Sequence, residues 1–239
     1  QRRFSISYPN EELPVGRPFH TTPAYGIWKG QRAVFGAAYG MEAVNYFALP
    51  GEPLEETPSF RRSNAFEATA QECRAVREAV GINEVHNFGK YLIAGPAARE
   101  WLDWIMAGRI PKPGRLSLTP MLSEKGKLIG DFTVTALADD CFQVTASFGA
   151  QAFHMRWFEQ HLPEDGVELH NISLERIGFQ IAGPRSRELL ARTTDADVSA
   201  QAFRFMDVKQ IDVGMCQASV QRVSYTGDLG YEIFVDPSE

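Results

Sequence analysis

The sequence is poor in cysteine. It has three in 239 residues, Cys73, Cys141 and Cys216, set far apart and with no CxxC. That spacing indicates neither a disulfide framework nor a zinc site, and a reducing compartment is the simple reading. Positive charge is not in excess: the formal net charge is −6, which argues against a broad nucleic-acid surface. No apolar run reaches the length of a membrane span. There is no P-loop, GxGxxG, HExxH or GxSxG. The five histidines (His20, His86, His154, His161, His170) form no pair four apart within one helix, so no metal site is expected. The start, QRRFSISYPNEE, lacks a Met and a charged-then-apolar signal pattern. It reads as the interior of a longer protein, and the end, IFVDPSE, stops just after a strong strand, so truncation at both ends is expected. What is present, 44% hydrophobic and 23% charged residues, is an ordinary globular composition, enough for one large domain or two small ones.

Residues 1–62 differ from the rest. They hold seven of the 14 prolines, many aromatics and little periodicity. Such a stretch is a loop-rich connector, or is ordered by packing on something else, and its prolines exclude long helices. From Ser63 the pattern turns regular. Ser63 or Asn64 can cap a helix whose Phe66, Ala70, Cys73, Val76 and Val80 recur at steps of three or four, with Gly81 ending it. That stripe places Cys73 in a core rather than in catalysis. "KYLIAG" reads as a strand, followed by a helix carrying Trp101, Leu102 and Ile105. "FTVTAL" and "FQVTAS" make a hairpin, and a helix covers 151–162. "RIGFQIAG" is a strand and "PRSRELLART" a helix; two β runs then flank the Tyr-Thr-Gly-Asp turn in "QASVQRVSYTGDLGYEIFV". "GKYLIAGPAAREWLDWI" and "IGFQIAGPRSRELLART" share strand, Ala-Gly-Pro and helix. Either this unit is used twice, giving an α+β fold with two related subdomains, or Ala-Gly-Pro is only a common strand-to-helix joint.

Two carboxylates stand out. Asp131 follows Gly126 and Gly130, which let backbone approach a ligand, and it stands at the mouth of an apolar strand. Glu232 lies inside an apolar strand, on the face shared with Phe234 and away from Tyr231 and Ile233. Buried acids are costly unless paired or used. Both could point into one cavity and bond a planar, nitrogen-rich ligand. The structural alternatives are a strand-start acid bonding turn amides for Asp131 and a solvent-facing strand residue for Glu232.

Taken in order, "NEVHNFGKYLIAGPAA", "SEKGKLIGD" and "SYTGDLGYE" resemble the spaced motifs of the aminomethyltransferase (glycine-cleavage T-protein) superfamily. The likeness is nearest to the folate-binding half of dimethylglycine and sarcosine dehydrogenases and covers roughly residues 61–239. The resemblance implies a T-protein-like folate-binding fold, α+β with antiparallel or mixed sheets and flanking helices. It makes residues 63–239 the N-terminal two-thirds of that domain. Residues 1–62, through "RPFHTTPAY" and "FGAAYGMEAVNYF", resemble the connector from a flavin oxidoreductase half. By the resemblance, Asp131 is the catalytic acid facing the reactive nitrogens of tetrahydrofolate. Glu232 hydrogen-bonds the pterin, Phe88 lies beside it, Thr145 and Ser147 line the pocket, and Tyr225 sits in the turn near the same cavity. FAD is expected in the absent N-terminal half.

The departures are Gly130-Asp131 for the family's paired acids, Gly126-Lys127 for its Gly-Gly, Ser147 for an Asn, and Glu84 and His86 where Asp and Ser are usual. Surface placement of His86 is as reasonable as a polar contact to ligand. The leading expectation is an enzyme part that captures the one-carbon unit from an N-methylated glycine or similar amine, in the cytoplasm or, in a eukaryote, the mitochondrial matrix. Its expected partner is a flavin domain of the same polypeptide, with neither nucleic acid nor membrane. The fragment alone is expected to be inactive. Competing readings are a folate-dependent O- or S-demethylase and a non-catalytic folate-like module.

Overall fold

The computed structural model describes Glu11 and residues 15–238. The rest of the expected connector, residues 1–10 and 12–14, lies outside the described residues. The first elements are a short helix, α1 (Tyr25–Gly30), and a hairpin of β1 (Ala33–Ala38) and β2 (Met41–Phe47). Tyr39 and Gly40 at its tip have φ of 52° and 87°, the left-handed pair that closes a two-residue hairpin. A stretch that reads as loop therefore holds regular structure; its strands, AVFGAA and MEAVNYF, carry Val, Phe and Tyr among alanines but show no strict apolar-polar alternation.

After this the chain builds one unit twice. The first copy is α2 (Ala65–Glu78), β3 (Gly81–Glu84), β4 (Gly89–Ala94), α3 (Ala98–Ile105), β5 (Leu116–Leu122), β6 (Leu128–Ala136) and β7 (Cys141–Ala146). The second is α4 (Gln151–Gln160), β8 (Glu168–Asn171), β9 (Ile177–Ala182), α5 (Ser186–Ala191), β10 (Val208–Val213), β11 (Cys216–Gln221) and β12 (Gly230–Val235). They form two five-stranded sheets in the orders β5-β6-β7-β4-β8 and β10-β11-β12-β9-β3. The short strands are exchanged: β3 pairs antiparallel with β9 of the second copy, and β8 with β4 of the first. The Ala-Gly-Pro joints match in conformation, Gly95 at φ 121° and Gly183 at φ 124°. Ala97 N–H donates to Gly166 O and Arg185 N–H to Ala79 O, each at 2.9 Å. The fold is α+β, with antiparallel sheets, flanking helices and two related subdomains.

Strand alternation gives each sheet an outer and an inner face. The outer face of the first sheet presents Tyr91, Ile93, Phe132, Val134, Phe142 and Val144 to Trp101, Leu102 and Ile105 of α3 and Phe158 of α4. That of the second packs Ile181, Val220, Tyr231 and Ile233 against Leu190 and Phe203. The inner faces meet where Leu116 packs with Val208 and Val223. An Arg115–Asp207 ion pair closes the same joint.

One expectation is corrected. The stripe of α2 runs through Ala65 and Ala68, not Phe66 and Cys73. The helix lies on Val34, Tyr46 and Ala48 of the hairpin region, close enough that small side chains fill the contact. Cys73 is exposed, and Phe66 sits outside under the Arg62 guanidinium, 4.0 Å from its ring. The helix also ends at Glu78, three residues before Gly81, which opens β3.

Candidate functional site

The inner faces carry side chains that a strand in a core would not need. On the second sheet Gln221 is directly opposite Glu232, and Glu232 directly opposite Gln180. Opposed residues in antiparallel strands share a face, so these three form a continuous polar row. All are buried. Glu232 is 6% exposed, and burial alone pushes its carboxyl up to about 7. It is not solvent-facing, although its strand alternation left that reading open. Gln180 is held: its side-chain oxygen accepts from Tyr225 N–H at 3.1 Å. Gln221 is sealed, and among the described residues neither atom of its amide finds a partner. An unpaired buried amide costs about 1–3 kcal/mol per group, an expense with no structural return here.

On the first sheet Thr145 lies directly opposite Lys90 on one side and Thr133 on the other. Thr145 is buried, and Gln143 Nε2 donates to its hydroxyl at 3.4 Å. Asp131 stands two residues before Thr133 and so on the same face. It is not at the strand mouth: the turn Ser123–Lys127 is closed by Ser123 N–H to Lys127 O at 2.8 Å, and β6 begins at Leu128. Nor does it bond turn amides. Its exposed carboxylate makes no hydrogen bond among the described residues and acts on His154 through charge, against the burial that lowers the His154 pKa. Ser147 is exposed, one residue past β7.

Phe88 and Tyr225 join the two halves. Their rings lie 6.5 Å apart at 40°, one on the turn before β4 and the other on the turn before β12. Tyr225 is 83% exposed, so this pair forms a rim rather than a floor. The structure thus links Phe88, Tyr225, Gln180 and Glu232 in one chain of contacts, and places Asp131, Thr133, Thr145 and Lys90 on one face of the other sheet. Gln180, Gln221 and Lys90 went unnoticed in sequence. Their signal is the one that flagged Glu232: a polar residue inside an apolar strand, in "GFQIAG", "ASVQRV" and "GKYLIAG". His86 is buried, its Nε2 3.3 Å from Glu42 O, and burial lowers its pKa.

A separate cleft of about 670 Å³ runs between β2, α2 and β3 past Trp28, Phe47 and Ile82. Tyr225 borders it; Asp131, Thr145 and Glu232 do not. Among the described residues no three acidic, histidine or cysteine side chains are grouped to hold a metal, and no helix is long and apolar enough to cross a membrane.

Comparison with known proteins places these features in context. The model of the GCVT N-terminal domain matches residues 24–239. Dimethylglycine dehydrogenase, mitochondrial, of Mus musculus is 33% identical over 233 residues, which is 96% of this chain and 27% of that protein. 4-Methylaminobutanoate oxidase (formaldehyde-forming) of Paenarthrobacter nicotinovorans is 27% identical over 98% of this chain and 28% of its own length. The chain therefore spans about a quarter of these relatives. The crystal structure of the glycine cleavage system aminomethyltransferase T from Bartonella henselae superposes with a TM-score of 0.72 over 92% of this chain and 55% of that one, at 19% identity, and so shares the fold.

Proposed function

The chain belongs to the GCVT N-terminal domain family, and from that premise we propose that it is the tetrahydrofolate-binding, one-carbon-transfer part of a flavin-linked N-methyl amine dehydrogenase. The substrate class is dimethylglycine or sarcosine-like amines. The expected division is a connector over residues 1–62 and the folate-binding domain from 63 onward. The setting is the cytoplasm or, in a eukaryote, the mitochondrial matrix. FAD, bound by another part of the same polypeptide, supplies the oxidation of the N-methyl group.

One observation carries the reading: Glu232 is a buried carboxyl whose pKa is raised by burial alone and that meets no hydrogen-bond donor among the described residues, set in a row with the Gln221 amide, which has no partner among them either. A pterin edge offers the N–H donors that a carboxylate needs and a carbonyl for an amide N–H. Phe88 and Tyr225 offer aromatic faces at the rim, and Thr145 a hydroxyl on the opposite wall. Asp131 makes no hydrogen bond or ion pair among the described residues and is therefore available. It would accept the proton from the folate nitrogen that adds to the iminium carbon or to formaldehyde, and its charge would balance the cation that develops; the demethylated amine, or water in the case of formaldehyde, would depart as the second nitrogen closes the methylene bridge.

The test is calorimetric titration of tetrahydrofolate into the protein as encoded by its gene, with dimethylglycine turnover followed for formaldehyde. Wild type binds, Glu232→Ala loses affinity, and Asp131→Ala oxidises the amine but releases formaldehyde. Absence of binding by wild type overturns the reading.

A further inference from the structure

Lys90 is fully buried, with 0% of its surface exposed, in a strand whose neighbours Tyr91 and Ile93 are core residues. Its Nζ donates to Phe88 O at 2.8 Å and to His86 O at 2.9 Å. A leucine or methionine would fill the space without the cost of burying an amine. The two hydrogen bonds are what a lysine adds, and both go to the turn that carries Phe88. That turn has one weak backbone closure of its own, Phe88 N–H to Val85 O at 3.3 Å. It is also anchored by Val85 N–H on Gly178 O at 2.7 Å and by the His86 ring on Glu42 O, and Glu42 is held in turn by Arg17. Across the rim, Tyr225 is fixed through its N–H to Gln180. The two rings that face each other are therefore secured by two different buried side chains, Gln180 for Tyr225 and Lys90 for Phe88.

We propose that Lys90 is a positioning residue, which holds the Phe88 turn so that the ring sits against Tyr225 and forms the rim that a flat pteridine slides under. This rests on the folate reading above. The lysine touches no reacting atom and acts through Phe88. Burial pushes its pKa down to about 7. Its charge acts on the buried His86, whose Nδ1 lies 3.7 Å from the Glu84 carboxylate. Titration of Lys90 does not break the clamp, because a neutral amine still has the two N–H donors that the two carbonyls use.

The experiment is a double-mutant cycle on the protein as encoded: wild type, Lys90→Met, Phe88→Ala and the double variant. Tetrahydrofolate Kd and the partition between formaldehyde and methylene-tetrahydrofolate are measured, with amine oxidation as an internal control. Loss of the clamp raises Kd about tenfold, the scale of one or two lost hydrogen bonds. The double variant is no weaker than Phe88→Ala, because both changes remove the same ring placement. An unchanged Kd in Lys90→Met, or losses that multiply in the double variant, overturns the assignment while leaving the folate reading intact. No binding by wild type overturns both. Should Lys90→Met fail to fold, Lys90→Gln, whose amide reaches less far, is used in its place with the same criteria.

Discussion

Glu232→Gln separates stability from function at one atom. The substitution keeps shape and removes the charge. In the wild type, burial raises the carboxyl from 4.5 to about 7, and no donor among the described residues offsets it. A raised acid pKa means that the folded state holds its proton longer than the unfolded one. The stability this group contributes is complete below pH 4.5 and is lost as pH rises through about 7. At 1.36 kcal/mol per pKa unit the full loss is about 3 kcal/mol. The glutamine does not titrate. The stability difference between variant and wild type is thus small at pH 4 and grows across pH 4.5–7 to about 3 kcal/mol in favour of glutamine. That is about 6–12 °C in Tm for a chain of this size. Thermal or urea unfolding at a series of pH values reads it directly. Added tetrahydrofolate narrows the gap, since its N–H groups favour the charged carboxylate that glutamine lacks. A Glu232→Gln protein no more stable than wild type at pH 8 refutes the reasoning: the carboxylate would then have a partner, and the case for a ligand there would fall with it.

Other substitutions test other parts. Asp131→Asn is expected to leave folding unchanged, because the side chain is exposed and makes no hydrogen bond among the described residues. It lowers methylene-tetrahydrofolate yield by about 10²–10⁴, the usual contribution of a general base, with formaldehyde assay as the check. Lys90→Met gives the opposite pH sign to Glu232. Burial lowers the amine from 10.5 to about 7, so wild type gains stability relative to the methionine variant as pH rises from about 7 to about 10.5, by up to about 5 kcal/mol, measured by urea unfolding. Gly95→Ala destabilises by about 3 kcal/mol or more: at φ 121° a Cβ would meet Gly166 O at 2.4 Å. Gly126→Ala, at φ 70° with nothing within 4 Å, costs about 1 kcal/mol by the same unfolding measurement.

Much of the scaffold was readable because its signals are local. The Ala-Gly-Pro joints demand a glycine at positive φ, the hairpin β6–β7 alternates cleanly, and Glu232 interrupts an apolar run. The strands that escaped notice lacked such signals. β5 contains Pro120, whose missing N–H suits an edge strand such as this one. β3 and β8 have four residues each, and both find their partners in the opposite copy, a pairing no local pattern can announce. The stripe of α2 misled because helical spacing identifies a face but not the depth of contact. Where a helix lies close on a hairpin, alanine faces inward and the larger Phe66 and Cys73 turn away. Asp131 was recognised by its neighbours, but its depth in β6 follows from the Ser123–Lys127 turn, which a glycine count does not locate.

The duplication explains the scaffold but not the site. Aligning the two Ala-Gly-Pro joints places Lys90 opposite Gly178 and Leu92 opposite Gln180 in the two copies. A side chain at Gly178 has no room: a Cβ there would lie 2.8 Å from Val85 Cγ2 and 2.9 Å from the Phe234 ring. The second copy therefore cannot carry the equivalent of Lys90. The first has an apolar residue where the second has the glutamine that holds Tyr225. Each inner face contributes what the other cannot: a lysine-clamped Phe88 and the acid Asp131 from one, the Gln221–Glu232–Gln180 row from the other. A symmetric pair of faces would offer a ligand the same groups twice. These two differ, so a ligand between them is read as an asymmetric molecule in one orientation, with its hydrogen-bonding edge toward Glu232 and its reacting edge toward Asp131. Exchanging the roles by Glu232→Gln with a new acid at Thr145 is expected to abolish binding rather than reverse it, because Phe88 and Tyr225 would still fix the rim in its original sense. Calorimetry on that double variant checks the point, and retained micromolar affinity would show that the faces are interchangeable after all.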